Sequence, residues 1–214
     1  MPLQILLQRH PEWRALPAVV LDRDKSTGVV LWGNEHAQAR RIRPGMPYAA
    51  ALSLARRLRS GTVADAEIER AVAAITQRLC NFSPRVEPST RERGVFWLDA
   101  SGMRHLYPSL EAWAACLHDD LRDARFLAVV AVGFTRFGSY GAAKANSQSI
   151  VFHTPTEEQS HLRHIGIQRL ELAPALRDVL LRLGIDTLGD FIDLPASGIR
   201  RRFGAEAAEL HALA

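Results

Sequence analysis

Two short apolar runs, 17–21 (PAVVL) and 29–32 (VVLW), flank the polar stretch from Asp22 to Gly28. β-Branched runs on either side of a polar connection ending in glycine predict a β-hairpin. Helical segments are expected near 34–41 and from Pro47 to about Leu58, with Pro47 suited to a first helical turn. After Asp65, which reads as an N-cap, Ile68, Val72, Ile75 and Leu79 recur at intervals of three and four. That spacing predicts an amphipathic helix over 65–79. Strands are expected at 85–87 and 95–98, followed by a helix from the N-cap Ser109 to Leu121. The run 126–132 (FLAVVAV) is apolar throughout, as a strand covered on both faces would be. A helix over 137–146 and a strand over 149–152 complete an α+β layer, with helices on a mostly antiparallel sheet.

Beyond Pro155 the strand signal stops, and a domain boundary is expected near 153–156. Short helices follow, punctuated by Pro174, Gly184, Pro195 and Gly204. The tail holds two approximate copies of one pattern: a helix ending in Arg182-Leu183-Gly184 and another ending in Arg202-Phe203-Gly204, each followed by a second helix. This is the layout of tandem helix-hairpin-helix elements, whose hairpin amides and helix N-termini can bind nucleic-acid phosphates without reading sequence.

Composition narrows the class. With 47% hydrophobic and 23% charged residues over 214 positions, the chain has the profile of a folded protein rather than a disordered one. No apolar run approaches the ~20 residues needed to span a bilayer, and the N-terminus is too polar for a signal peptide. A cytoplasmic protein with no membrane contact is expected. Cys80 and Cys116 stand far apart in the sequence and are expected to be reduced. The net charge of +4 favours an anionic partner. Of 27 basic residues only Lys25 and Lys144 are lysines, a ratio that codon bias accounts for except where arginines cluster. They cluster at Arg40, Arg41 and Arg43, at Arg56, Arg57 and Arg59, and at Arg200, Arg201 and Arg202. Residues 34–59 hold six arginines against one acid, Glu35. Two readings stand for these clusters: contact with template phosphates, or a solvated helix face. The triplet at 200–202 falls at the expected end of a helix, where cations also suit the macrodipole.

Other candidates carry less. His161 and His164 could share a helix face, but no third ligand accompanies them, so a surface pair is expected and no metal site. Trp13, Trp32, Trp97 and Trp113 are expected in the core. Ser89 and Ser101 have no His/Asp partner for nucleophilic catalysis.

Three stretches in order resemble the Y-family (UmuC-like) translesion DNA polymerases. Residues 17–46, ending ARRIRPGM, resemble the fingers hairpin and helix; 82–102, FSPRVEPS…WLDASG, resemble the palm hairpin that bears two catalytic acids; and 182–203, RLGIDTLGDFIDLP…RRF, resemble the thumb. The resemblance covers nearly the whole chain. It implies fingers over 1–64, a palm with a ferredoxin-like sheet over 65–154, and a helix-hairpin-helix thumb over 155–214.

The departures from the family pattern concern its chemistry. Phosphoryl transfer in such enzymes needs two divalent metals held by carboxylates. With the final aspartate of the palm pattern on Asp99, the two adjacent acid positions fall on Gly94 and Val95, neither of which can bind a metal. Glu92 lies two residues away, displaced along the strand. The Tyr-x-x-Arg pair that grips the incoming triphosphate falls on Glu35 and Gln38; a glutamate repels a triphosphate and a glutamine lacks the charge. Gly133 to Gly138 keeps the palm strand and turn without the family's Asn-Lys pair, and Lys144 is not at a matching position. The strand carrying the family's first metal-binding aspartate precedes the fingers, and this sequence starts inside the helix that follows it, so an upstream start codon is expected. Leu170 to Pro174 replaces the Gly-x-Gly hairpin of active members.

Together these departures resemble the ImuB-type, catalytically degenerate branch. The resemblance implies a non-catalytic scaffold in DNA repair and SOS mutagenesis, binding damaged or primer-template DNA with no cofactor. It further implies a sliding clamp, a RecA-like accessory protein and an error-prone polymerase as partners. The family's clamp contacts lie largely in the little finger and C-terminal tail, beyond Ala214. The alternatives are an active translesion polymerase with a displaced Mg²⁺ site, or a truncated gene product.

Overall fold

The first hairpin forms where the alternation of apolar and polar runs puts it. β1 (Ala18–Leu21) and β2 (Val30–Gly33) pair antiparallel, Val19 opposite Gly33 and Val20 opposite Trp32, with a bulge between Val20 and Leu21. Asp22 closes the connection: its Oδ1 accepts the Val29 amide at 2.7 Å. That bond, followed by one from Arg23, holds the Asp22 carboxyl below the usual aspartate value. In the computed structural model, which describes residues 1–214, the chain forms two compact units, Met1–Asp99 and Ala100–Ala214.

In the first unit β1 is fully buried because both of its edges are paired. Its second partner is β3 (Arg59–Gly61), parallel, with Ala18 opposite Arg59 and Val20 opposite Gly61. The helix expected from Pro47 to Leu58 therefore stops early, as α3 (Tyr48–Leu54), and the chain becomes a strand at Arg59. A three-residue polar strand has no alternation to betray it. Its close approach to α1 (Pro2–Arg9) depends on Gly61, since a β-carbon there would stand 2.8 Å from Leu6 Cδ1.

The helix over 65–79 forms as α4 (Asp65–Leu79) and buries Ile68, Ile75 and Leu79. Its N-cap is Ala64 rather than Asp65: Glu67 Oε2 accepts the Ala64 amide at 3.0 Å. Asp65 instead pairs with Arg93 at 2.6 Å, which ties the helix start to the turn between β4 (Val86–Pro88) and β5 (Phe96–Leu98). These two strands are antiparallel, Glu87 opposite Trp97.

In the second unit Ser109 caps α5 (Leu110–Asp123) as expected, its hydroxyl accepting the Ala112 amide at 3.2 Å. The apolar run after it departs from expectation. Only β6 (Ala131–Val132) is strand, paired parallel with β7 (Ile150–Val151), and Leu127 is 72% exposed. Arg125 adopts left-handed backbone (φ 63°) and the Phe126 amide bonds back to Leu121 O, so the segment leaves α5 in a helix-terminating turn rather than extending at once. With two antiparallel and two parallel pairings, the strand pattern is mixed rather than mostly antiparallel.

The rest is helical: α6 (Arg136–Ala145), α7 (Pro155–Leu162), α8 (Pro174–Arg182), α9 (Leu188–Ile192) and α10 (Ile199–His211). Their core is Phe137 stacked on Phe191 at 5.7 Å, with Leu162, Leu180, Leu188 and Leu210 fully buried. α8 and α9 make the first helix-hairpin-helix copy. Gly184 (φ 74°) donates to Leu181 O, and Ile185 donates to Leu180 O, closing α8. The second copy is compressed into α10, which breaks at Gly204 (φ 88°) and resumes without a loop. No helix is long and apolar enough to cross a membrane.

Candidate nucleic-acid interface

Arg40, Arg41 and Arg43 owe their placement to one buried amide. Asn34, 8% exposed, caps α2 (Glu35–Gln38). Its Oδ1 accepts the amides of Ala18 and Ala37, each at 3.0 Å, and its Nδ2 donates to Leu16 O at 2.7 Å. The side chain thus bolts the helix start to β1. At the other end the helix closes through paired bonds, Arg41 N–H to Gln38 O and Ile42 N–H to Ala37 O. This closure requires left-handed backbone at Arg41 (φ 63°), normally a glycine position, at a cost of about 1 kcal/mol. The return is that Ile42, 1% exposed, packs with Ala37 in the core while Arg40, Arg41 and Arg43 face solvent.

The second cluster is built on the same core. Ala55 and Leu58 belong to the apolar group that includes Ile42, and between them Arg56 and Arg57 are exposed, with Arg59 following on β3. None of the six arginines has an acidic partner within ion-pair distance, whereas Arg9, Arg23, Arg85 and Arg93 in this unit do. The fold therefore sets both clusters on one apolar core, with all six side chains solvent-facing. Arg200, Arg201 and Arg202 are also exposed, in the second unit. They lie in the one-turn segment that ends where α10 breaks at Gly204 (φ 88°), at the expected place before the glycine, though a single turn has little macrodipole to favour them.

The amides of the first helix-hairpin-helix copy are already taken. The Asp190 carboxylate accepts the Thr187 amide at 2.9 Å, the Thr187 hydroxyl at 2.7 Å and the Asp186 amide at 3.3 Å. These bonds, the hydroxyl's first, hold the Asp190 carboxyl below the usual aspartate value. An acid of the chain itself thus occupies the amides at the start of α9 in a capping box.

At the palm hairpin Gly94 lies in the turn before β5, with φ 104°. A β-carbon there would stand 2.9 Å from Met1 Cβ. Val95 is a backbone element of the same turn, its amide donating to Glu92 O at 3.2 Å and its carbonyl accepting the Ser89 amide at 2.9 Å. Asp99 follows β5 and pairs with Arg85 at 3.7 Å. The buried Ser83 hydroxyl lies 2.9 Å from both Arg85 O and Asp99 O, locking the strand ends together. No group of three or more His, Cys, Asp or Glu side chains is placed to hold a metal ion. In α2, Glu35 is exposed and the Gln38 amide donates to Gly33 O at 3.0 Å, a bond within the fold.

Smaller expectations resolve as follows. His161 packs on Phe152 at 5.3 Å, with Nε2 3.2 Å from Asn146 Nδ2, and His164 Nδ1 is 2.7 Å from Ser160 O; neither faces a ligand set. Trp113 is core, but Trp32 is 37% exposed on an edge strand and Trp13 stacks on His10 at 4.0 Å. Two organising side chains were missed. Asn34 had a legible signal, an Asx residue between a strand and a helix. Glu158, buried at 2% beneath the N-terminus of α6, had none.

The fold is shared with solved DNA polymerases. DinB from Sulfolobus solfataricus superposes with a TM-score of 0.74 at 20% identity over 98% of this chain and 62% of that one. An insertion ternary complex of Dbh DNA polymerase gives 0.75 at 21%, over 99% and 63%. A DinB-family error-prone DNA polymerase, also from Sulfolobus solfataricus, gives 0.72 at 19%, over 97% and 61%. At such identities the likeness is one of fold, the α+β architecture of the Y-family polymerases, and the chain spans less than two thirds of their length. No curated protein matches the sequence. The model of the impB/mucB/samB family matches residues 2–144, two thirds of the chain, and to that family the protein belongs.

Proposed function

We propose that this protein is a non-catalytic DNA-binding scaffold of translesion synthesis, of the ImuB type, with fingers over 1–64, palm over 65–154 and thumb over 155–214. The observation that carries the proposal is Gly94. The position where the family pattern wants a metal-binding acid has left-handed backbone and abuts Met1, so an acidic side chain is strained there and has no room. Val95, Glu35 and Gln38 supply neither metal ligands nor a triphosphate grip, and the role needs no Mg²⁺ or other cofactor. The unpaired arginines of the first unit supply the other half of the proposal, sequence-independent attraction to phosphates. Solved structures of the same fold include a ternary insertion complex and a post-insertion binary complex of Dbh DNA polymerase, which supports DNA as the ligand. Partners in this reading are damaged or primer-template DNA, a sliding clamp, a RecA-like accessory protein and an error-prone polymerase, in the cytoplasm.

Two measurements test it. Binding to primer-template DNA should weaken steeply with salt, and replacing Arg40, Arg41 and Arg43 with alanine should lower the slope of log K against log salt by about 2. An unchanged slope removes that site. Primer extension with Mg²⁺ and nucleoside triphosphates should give no template-dependent product; incorporation that is lost in Glu92→Ala would establish a working polymerase instead.

A further inference from the structure

The parallel strands β6 and β7 are left by the chain at the same end and by the same construction. Gly133 and Phe134 separate Val132 from Thr135, which caps α6 by accepting the Gly138 amide at 2.9 Å. Phe152 and His153 separate Val151 from Thr154, which caps α7 by accepting the Glu157 amide at 3.1 Å. Consecutive acids in the first turn of α7 reach back to both crossings. Glu157 Oε2 accepts the His153 amide at 2.8 Å. Buried Glu158 accepts the amides of Phe134 and Thr135. Beyond the crossings, α6 is held along its length by the later helices. Phe137 stacks on Phe191, and its amide donates to Leu213 O at 2.9 Å. A β-carbon on Gly141 would stand 2.5 Å from Leu188 Cδ1. Lys144 pairs with Glu171 at 3.3 Å, and Asn146 Nδ2 lies 3.2 Å from His161 Nε2. β6 and β7, by contrast, pack on α5.

We infer that α6 moves with α7–α10 as one body over the layer of α5, β6 and β7, hinged at Gly133–Thr135 and His153–Thr154 and pinned there by Glu157 and Glu158. Two neighbouring crossings at one strand end define an axis. Rotation about it needs backbone change in only a few residues and leaves both the helical core and the β6–β7 pairing intact. With the carboxylates in place, the same rotation strips acceptors from the amides at both crossings, which costs far more than the rotation itself. Because the two acids share one helical turn, they leave together, and the hinge opens as a single event. The body that moves then begins at Thr135, not at Pro155, and carries Arg200, Arg201 and Arg202 with it. The hinge does not depend on the DNA-binding reading and stands or falls separately from it.

Residue-resolved hydrogen exchange on the full chain tests the pin. Glu158→Gln keeps the shape of the side chain and removes its charge. Exchange should speed up about ten- to a hundredfold at Phe134 and Thr135 and equally at His153, whose own acceptor is untouched. Amides inside α8 and α9 should keep their wild-type rates. Acceleration confined to Phe134 and Thr135 makes Glu158 a simple cap and overturns the inference; acceleration that extends through α8 and α9 marks unfolding instead of a hinge and overturns it too. Spin-label distances test the body. With Cys80→Ser in place, a label on the exposed Cys116 of α5 is paired with one at Glu209→Cys on α10. Their distance distribution should shift or broaden on adding Glu157→Gln/Glu158→Gln. Labels at Ala143→Cys on α6 and Glu209→Cys, with both native cysteines replaced by serine, should keep one distribution throughout. An unchanged first pair, or a second pair that moves, refutes the shared body.

Discussion

A double-replacement cycle at Glu158 and Gly138 tests the packing of the second unit most directly. Glu158, on α7, is 2% exposed, and its carboxylate lies at the N-terminus of α6. It accepts the Phe134 amide, the Thr135 amide at 3.2 Å and the Thr135 hydroxyl at 2.5 Å. The Thr135 hydroxyl oxygen in turn accepts the Gly138 amide at 2.9 Å. Hydrogen bonds to a charged acceptor contribute about 1.5–3 kcal/mol each, but three to one group are not additive and water can enter the vacated space. Glu158→Ala should therefore cost about 3–5 kcal/mol. Gly138 is glycine because the carboxylate passes over it: a β-carbon would overlap Glu158 Oε1, and one at Gly133 would stand 2.7 Å from Oε2. Gly138→Ala alone should expel the carboxylate and cost nearly as much. With Glu158 already alanine the space is empty, and the same replacement should be neutral or stabilising by about 0.5–1 kcal/mol, the helix propensity of alanine over glycine. The expected coupling is about 3 kcal/mol or more. Urea denaturation of the four proteins, followed by circular dichroism, measures it. If Gly138→Ala costs the same in both backgrounds, the carboxylate does not dictate the glycine and the reasoning fails.

Three further outcomes follow from the backbone and from the capping acids. Arg125→Gly, at a left-handed helix end with φ 63°, should raise stability by about 1 kcal/mol, seen as a higher denaturation midpoint with an unchanged slope. Gly94→Asp, which restores an acid to the palm turn, should lower stability by about 2–3 kcal/mol through backbone strain and contact with Met1, and should yield no primer extension. Asp190 has a folded pKa below its ordinary value of 3.8, so its bonds contribute in full above that value and are lost as pH falls through the lowered one. Thermal melts between about pH 5 and pH 2 should show a shallower acid limb in Asp190→Asn than in the wild type, with Asp22, whose carboxyl is also held low, contributing to the slope that remains.

The sequence carried the architecture where periodicity was long. Residues 65–79 and 109–121 gave helices, the first burying Ile68, Ile75 and Leu79 of its expected face, and Ser109 gave its cap, because each spans several turns of consistent pattern. It failed where tertiary pairing overrode local pattern. Arg59–Gly61 becomes a strand only because the free edge of β1 needs a partner. Phe126–Val132 has the composition of a buried strand, yet only its last two residues find one. The candidate interface was half legible. Clustering of arginines was plain, but their exposure and want of acidic partners depend on Ile42, Ala55 and Leu58 turning inward together. Glu158 was invisible: nothing in the sequence marks one glutamate of Glu157-Glu158 as the buried one, since what selects it is the pair of amides waiting across the fold.

The two buried or capped acids bear on how this protein would hold a nucleic acid. Backbone amides at helix starts are the usual sequence-blind phosphate ligands. Here the amides of Phe134 and Thr135 are given to Glu158, and those of Asp186 and Thr187 to Asp190. A phosphate approaching either place meets a carboxylate. Phosphate binding in the proposed function then falls to mobile guanidinium groups rather than to fixed amides. Side-chain cations of that kind release counterions and tolerate varied backbone paths, so affinity should fall steeply with salt and depend little on the geometry of the junction. A scaffold that must accept distorted, lesion-bearing templates is served by that division. An enzyme that must align one phosphorus atom is not.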